Sequence, residues 1–266
     1  MESDMERGND RNAAFYNELR EMAARLNQMA GHLDQESDLL VIGGDAEEGE
    51  FSVDLLDGLE PRLVADALKA VAVHAAGGNT DCWIDSTIKD AHHCAVIALA
   101  FERTLEGCDW KNRHGERPYS LAFIYTLAMD NGPLIETVLK AIKEEAGTDL
   151  KRIHQYATEE FFDAMTYFSC DRLLMPAPTR DGIKVNLTKI LGPFASNVDL
   201  RRRFASGNGA KVANDPQLWG KLACVNFSTI EFGIAGRLLN VFLKTLLMTA
   251  AIHREKASKA NPRTIN

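Results

Sequence analysis

Apolar residues recur along this chain at spacings of three and four, and sustained two-residue alternation is absent. Phe15, Leu19, Met22, Leu26 and Met29 share one helical face, and Gly31 follows as a stop. Residues 31–50 form a polar, acidic loop whose one apolar run, Leu39 to Ile42, reads as a short strand or a core contact. Ser52 can cap a short helix through Leu56. Pro61 suits a first helical turn, and Leu63, Val64, Ala67, Leu68, Val71 and Ala75 follow before Gly77–Gly78. The next helix, capped at Asn79 or Thr80, is expected to run to Glu106 and stop at Gly107.

Residues 107–118 read as a polar loop, and Pro118 restarts a helix with Leu121, Ile124, Tyr125 and Ala128 inward. Asn131–Gly132–Pro133 is a turn, and a helix follows to Gly147. Thr148 and Thr158 open two further segments, the second through Leu174. The segment MPAPTRDG (175–182) punctuates the chain with two prolines and a glycine. A mixed segment with Ile183, Val185 and Leu187, a helix capped at Asn197 and a loop over 206–215 come next. Asp215–Pro216 then starts one long helix, or two broken near Gly233–Gly236, carrying Trp219, Leu222, Phe227, Ile230, Ile234, Leu238, Phe242 and Leu246. The expected fold is all-α, with two helical subdomains, 1–175 and 176–266, the second ending in a long helix.

With 266 residues and 45% hydrophobic content, the chain can bury a core in one large domain or two smaller ones. The most apolar window, 238–252, is short for a bilayer and contains Asn240 and Lys244, so no transmembrane helix is expected there. The start, MESDMERGND, has no signal-peptide apolar region, and five scattered cysteines read as reduced thiols in a cytosol-like compartment.

Charge divides the chain as its composition does at MPAPTRDG. Residues 1–60 carry 16 acidic and 4 basic side chains, a balance of −12; residues 176–266 carry 5 and 14, a balance of +9. A molecule negative at its front and positive at its back can draw the back onto phosphate, or align copies head to tail. The basic candidates are Arg180, Lys184, Lys189, Arg201, Arg202, Arg203, Lys211 and Lys221. Neighbouring arginines on a helix point roughly 100° apart, so the triplet would surround a phosphate track or contact two partners rather than face one plane. The Gly207–Asn208–Gly209 turn could add backbone N–H groups as a small nest. Phe204 and Trp219 sit on apolar stripes and read as core.

Cys82, His92, His93, Cys94, Cys108 and His114 lie within one stretch, but without the paired short spacing of structural zinc sites, and no metal is assigned. Asp90-x-x-His93 is a single copy where a di-iron bundle needs repeats. GGDAEEGE (43–50) and GNGAKVA (207–213) both fail the P-loop pattern, and no motif selects a nucleophile. The chain is therefore read as a non-enzyme without a cofactor.

Residues 201–216, RRRFASGNG followed by Asp–Pro, resemble a stretch of orthomyxovirus matrix proteins. Length and helical form are similar as well, the tick-borne thogotovirus branch in particular. The resemblance implies a structural protein under the virion envelope, also present in host cytoplasm and nucleus. Such a protein would self-associate and bind anionic membrane and viral ribonucleoprotein or RNA, with Arg201, Arg202 and Arg203 as contacts. The competing readings are a nucleocapsid or coat protein wrapping single-stranded RNA, and a soluble α-helical enzyme or regulator that docks a protein through its basic end.

Overall fold

The computed structural model of the chain describes residues 21, 39–42, 52–76, 82–130, 132–148, 159–209, 222–225, 227 and 229–260. The fold is all-α. Its helices are α1 (Pro61–Ala75), α2 (Cys82–Glu102), α3 (Leu105–His114), α4 (Leu121–Met129), α5 (Pro133–Thr148), α6 (Glu159–Thr166), α7 (Ala177–Ser196) and α8 (Thr229–Ala260). Two four-residue strands, β1 (Leu39–Ile42) and β2 (Leu222–Val225), pair in parallel with Leu39 opposite Leu222.

Helix α2 is the axis of the core. Its inward positions, Ala91, Cys94, Ala95, Ile97, Ala98 and Phe101, are almost wholly buried. The alanines let neighbouring helices approach closely, and α1, α4, α5, α6 and α7 all pack against it. A helix apolar on most sides must be covered on most sides. Helix α4, LAFIYTLAM, meets the same demand between α2 and α7. Helix α7 inserts Ile183, Leu187, Ile190, Leu191 and Phe194. Thus Met175–Pro176, the expected seam between subdomains, is a two-residue break whose two sides share one core.

Helix α8 closes the core against α1 and α7. The stretch Phe232–Thr249 is long and apolar enough to cross a membrane by composition. Ala235, Leu238, Leu239, Phe242, Leu243 and Leu246 are buried in the core. Asn240 has a local role: its Oδ1 accepts from Phe227 N at 3.1 Å, and its Nδ2 donates to Phe227 O at 3.0 Å. The expected break falls at Gly233, whose φ of +54° and ψ of −126° no helix contains.

Four expectations change. The short helix expected from Ser52 through Leu56 is absent, and a turn spans Leu55–Gly58. At Leu222–Val225 the expected helix gives way to β2, because β1 supplies a partner for that backbone; its start, from Asp215 to Lys221, lies outside the described residues. The mixed segment at 183–187 is the middle of α7. The polar loop expected over 107–118 is largely α3. Thr104 caps it, accepting from Gly107 N at 3.0 Å, and Gly115 ends it at φ +68°. Gly107 is not a stop. It lets the first turn of α3 fold back on the end of α2: a Cβ there would stand 1.9 Å from Phe101 O. The expected helix over 10–30, apart from Glu21, lies outside the described residues.

Gly107→Ala should therefore cost about 3 kcal/mol, the upper range of overpacking. Gly147→Ala, whose added Cβ meets nothing within 4 Å, should be neutral or stabilising by under about 1 kcal/mol. Chemical denaturation of the two variants checks both, and equal stabilities would contradict the packing at Gly107.

Candidate functional site

The arginine triplet lies on a π-helical turn, Arg201–Ala205. Asn197 starts the approach, its Oδ1 accepting from Asp199 N and Leu200 N, both at 3.0 Å. Arg201 then reaches Glu116: its Nη2 lies 2.9 Å from Oε2, and its Nε donates to Oε1. The carboxylate raises the Arg201 pKa above its ordinary value. Arg202 is exposed, with Asp199 3.8 Å away. Arg203 lies over the Phe204 ring, 5.1 Å from its centroid. Phe204 is buried and meets Phe227 edge-on, as a core residue should; Trp219 lies outside the described residues. The triplet therefore does not stand out as one exposed block. The first anion it meets is a carboxylate of its own chain.

The GNG turn is fitted to the same surface. Gly207 holds φ +71°, and a Cβ there would meet the Arg117 side chain at 3.0 Å. A Cβ on Gly209 would fall 2.4 Å from the Val53 backbone. Val53 N donates to Arg203 O, and Arg117 N donates to Ser206 O, each at 2.9 Å. Asn208 Nδ2 donates to Gly115 O. Gly209 serves close approach to the Val53 backbone and Gly207 close approach to the Arg117 side chain, where the sequence suggested a phosphate nest.

Arg117 sits beneath this clasp. Its guanidinium pairs with Asp54 and with Glu102, at 2.5 Å from Glu102 Oε1. Glu102 Oε2 also accepts from Tyr119 N at 2.8 Å, and Asp54 Oδ1 accepts from Leu56 N at 3.1 Å. Burial raises the Asp54 pKa to about 6, although Arg117 opposes the shift.

A second charged cluster lies where α2, α7 and the π turn Tyr167–Asp171 meet. Asp90, on the inward face of α2, is 1% exposed. Tyr167 Oη donates to Asp90 Oδ1 at 2.6 Å, and Arg172 Nε lies 3.7 Å from the same oxygen. Burial pushes the Asp90 carboxyl up and outweighs Arg172. The Arg172 guanidinium also donates to Ala128 O at 2.5 Å and Leu127 O at 3.4 Å, and Lys184 Nζ to Met129 O at 2.9 Å. Both cations thus satisfy the open carbonyls at the C-terminus of α4, where the helix dipole favours positive charge. Arg180, Met175 and Ile183 complete the wall of a small cavity that opens to solvent.

The structure so divides the expected basic residues. Arg180 and Lys184 meet at the cavity. Arg201, Arg202 and Arg203 belong to the clasp. Lys189 is exposed on α7. Lys211 and Lys221 lie outside the described residues. The cysteines and histidines are spread: Cys94 lies beside Asp90, Cys108 is exposed, His114 stacks on Trp110, and His93 stacks on Tyr167 at 4.5 Å. Among the described residues, no three His, Cys, Asp or Glu side chains group to hold a metal.

Sequence reasoning missed Asp90, Tyr167, Arg172 and Arg117 as charged partners. One signal for Asp90 exists. It shares the helical face of Cys94, Ile97 and Phe101, and a carboxylate on an apolar face calls for a buried cation. No family model, curated protein or solved structure matches this chain.

These geometries rank the arginines by their cost to the fold. Arg117→Ala strands two carboxylates and should cost about 3–5 kcal/mol. Arg201→Ala should cost about 1–2 kcal/mol, and Arg202→Ala within about 0.5 kcal/mol. The triplet is thus not uniformly dispensable to the fold, and urea unfolding of the three single variants checks this order.

Stability should also depend on pH through His93. Both of its ring nitrogens are unpartnered among the described residues. Burial, with His92 and Lys89, lowers its pKa from 6.5 to about 4. A depressed histidine favours the folded state above pH 6.5, and that contribution is lost as pH falls toward 4. Asp54 acts oppositely: raised from 3.8 to about 6, its contribution is full below 3.8 and lost as pH rises through 6. His93→Phe keeps the stack on Tyr167 and removes the acid-side loss. Its Tm gain should be larger at pH 5 than at pH 8 by about 3 °C or more; equal gains would contradict the burial of a neutral ring.

Proposed function

We propose that this chain is a structural protein of the matrix type, peripheral to anionic membrane, assembling there with its own copies and with ribonucleoprotein. One recurring arrangement in the basic C-terminal third supports the reading: an exposed apolar side chain one helical turn from an exposed cation. Val185 precedes Lys189 on α7, Val198 precedes Arg202, and Met248 follows Lys244 on α8; the three apolar residues are 54%, 78% and 66% exposed. Such pairs suit a bilayer boundary. The apolar group and the stem of the cation sink below the headgroups while the charge stays with phosphate. Each basic side chain near an anionic surface contributes about 1 kcal/mol. Self-association would set the acidic front of one copy, −12 over residues 1–60, against the basic back of the next, +9 over residues 176–266. A contact of that kind is heterologous and repeats without closing.

Sedimentation with phosphatidylserine vesicles tests the membrane half. Binding is expected to phosphatidylserine and not to phosphatidylcholine, and to weaken with salt. Lys189→Gln combined with Lys244→Gln should lower the vesicle affinity roughly 30-fold, two charges at about 1 kcal/mol each. Equal sedimentation with both lipids, or with neither, would overturn the reading.

A further inference from the structure

We propose that the mouth of the cavity between α2, the π turn Tyr167–Asp171 and α7 binds a single phosphate-class oxyanion, held by Arg180 with Lys184 and Arg172 beside it. The geometry supplies the reasons. Three cations and one carboxylate, Asp90, face the cavity, which leaves two positive charges and matches a dianion. Asp90 is at the buried base, occupied by the Tyr167 hydroxyl and close to Arg172, so the anion's place is the mouth. Arg172 is largely committed to the α4 carbonyls. Arg180 is different. It is half-buried in the wall, and among the described residues no carboxylate pairs with it.

The cations also crowd one another. Lys184 is held below its ordinary pKa by burial first and by Arg172 and Arg180 as well, with Asp181 and Asp130 pulling the other way. An anion at the mouth relieves that repulsion. Arg180 stands at the end of the first turn of α7, a 20-residue helix, where the dipole adds positive potential, and Lys184 follows one turn later. A guanidinium fork beside an ammonium suits a tetrahedral oxyanion, since two oxygens take the fork and a third takes the point charge.

The phosphate could come from solution or from a lipid headgroup, and two arms separate these. In the first, inorganic phosphate is titrated into the full chain at ionic strength held constant with sodium chloride. A saturable rise in Tm is expected, with none from chloride alone. Arg180→Gln should weaken the apparent phosphate affinity at least about tenfold, and Lys140→Gln, on the exposed face of α5, should leave it unchanged. Arg180→Lys, which keeps the charge and loses the fork, should fall between; it also serves if the glutamine variant folds poorly.

In the second arm, phosphatidylcholine vesicles doped with phosphatidate are compared with vesicles doped with phosphatidylserine. Loss of the phosphatidate preference in Arg180→Gln assigns the pocket to a headgroup. A phosphate response without any phosphatidate preference assigns it to a soluble anion. No saturable phosphate response in the wild type, or an Arg180→Gln response equal to it, overturns the pocket. The matrix-type reading fails separately, through Lys189 and Lys244 on phosphatidylserine vesicles.

Discussion

One arginine, through its side chain and its backbone together, ties four segments of this chain in register. Arg117 grips Asp54 in the loop before α1 and Glu102 at the end of α2, while its own backbone N–H holds Ser206. It stands on the short passage between α3 and α4, so the entry of α4 is fixed by the same contacts. A buried ion pair adds little net stability over an apolar pair of equal volume. It does penalise every arrangement that leaves one partner unmatched. With two carboxylates on one arginine, a slip of the 201–209 loop, of the loop around Val53 or of the end of α2 strands a charge. The constraint is therefore one of uniqueness, and the apolar core around α2 supplies the cohesion.

The two π turns fall at the two charged clusters. A π turn inserts a residue into helical phase and rotates the side chains C-terminal to it. At Tyr167–Asp171 it carries Tyr167 and Arg172, both of which face Asp90. At Arg201–Ala205 it carries Arg201 toward Glu116 and keeps Phe204 buried. In both places an irregular helix serves a polar partner on another element while its apolar residues stay in the core.

The all-α class, the Asn197 cap, the start of α1 at Pro61 and the break at Gly233 were legible because each rests on local chemistry: periodicity, a side-chain oxygen, a ring-fixed φ, a residue free to take positive φ. The illegible features depend on a distant partner. Gly107 looks like a helix stop until Phe101 O is found against it. The stretch Leu222–Val225 continues a helical stripe until β1 takes its backbone. Arg201 reads as a surface cation until Glu116 arrives from 85 residues away in sequence. Arg172 reads as a surface cation until its guanidinium reaches both Asp90 and the carbonyls at the end of α4. Spacing alone could bring Arg180 and Lys184 onto one helix, but not to one cavity.

The clasp between Arg201 and Glu116 is only partly shielded from water: the arginine side chain is 39% exposed and the glutamate 19%. Dissolved ions reach such a pair and weaken it. Ionic strength is thus a variable of the chain's own conformation. Added salt that weakens this pair also loosens the seat of the 201–209 loop, so the loop's hold on Glu116 tightens in dilute buffer and slackens in brine.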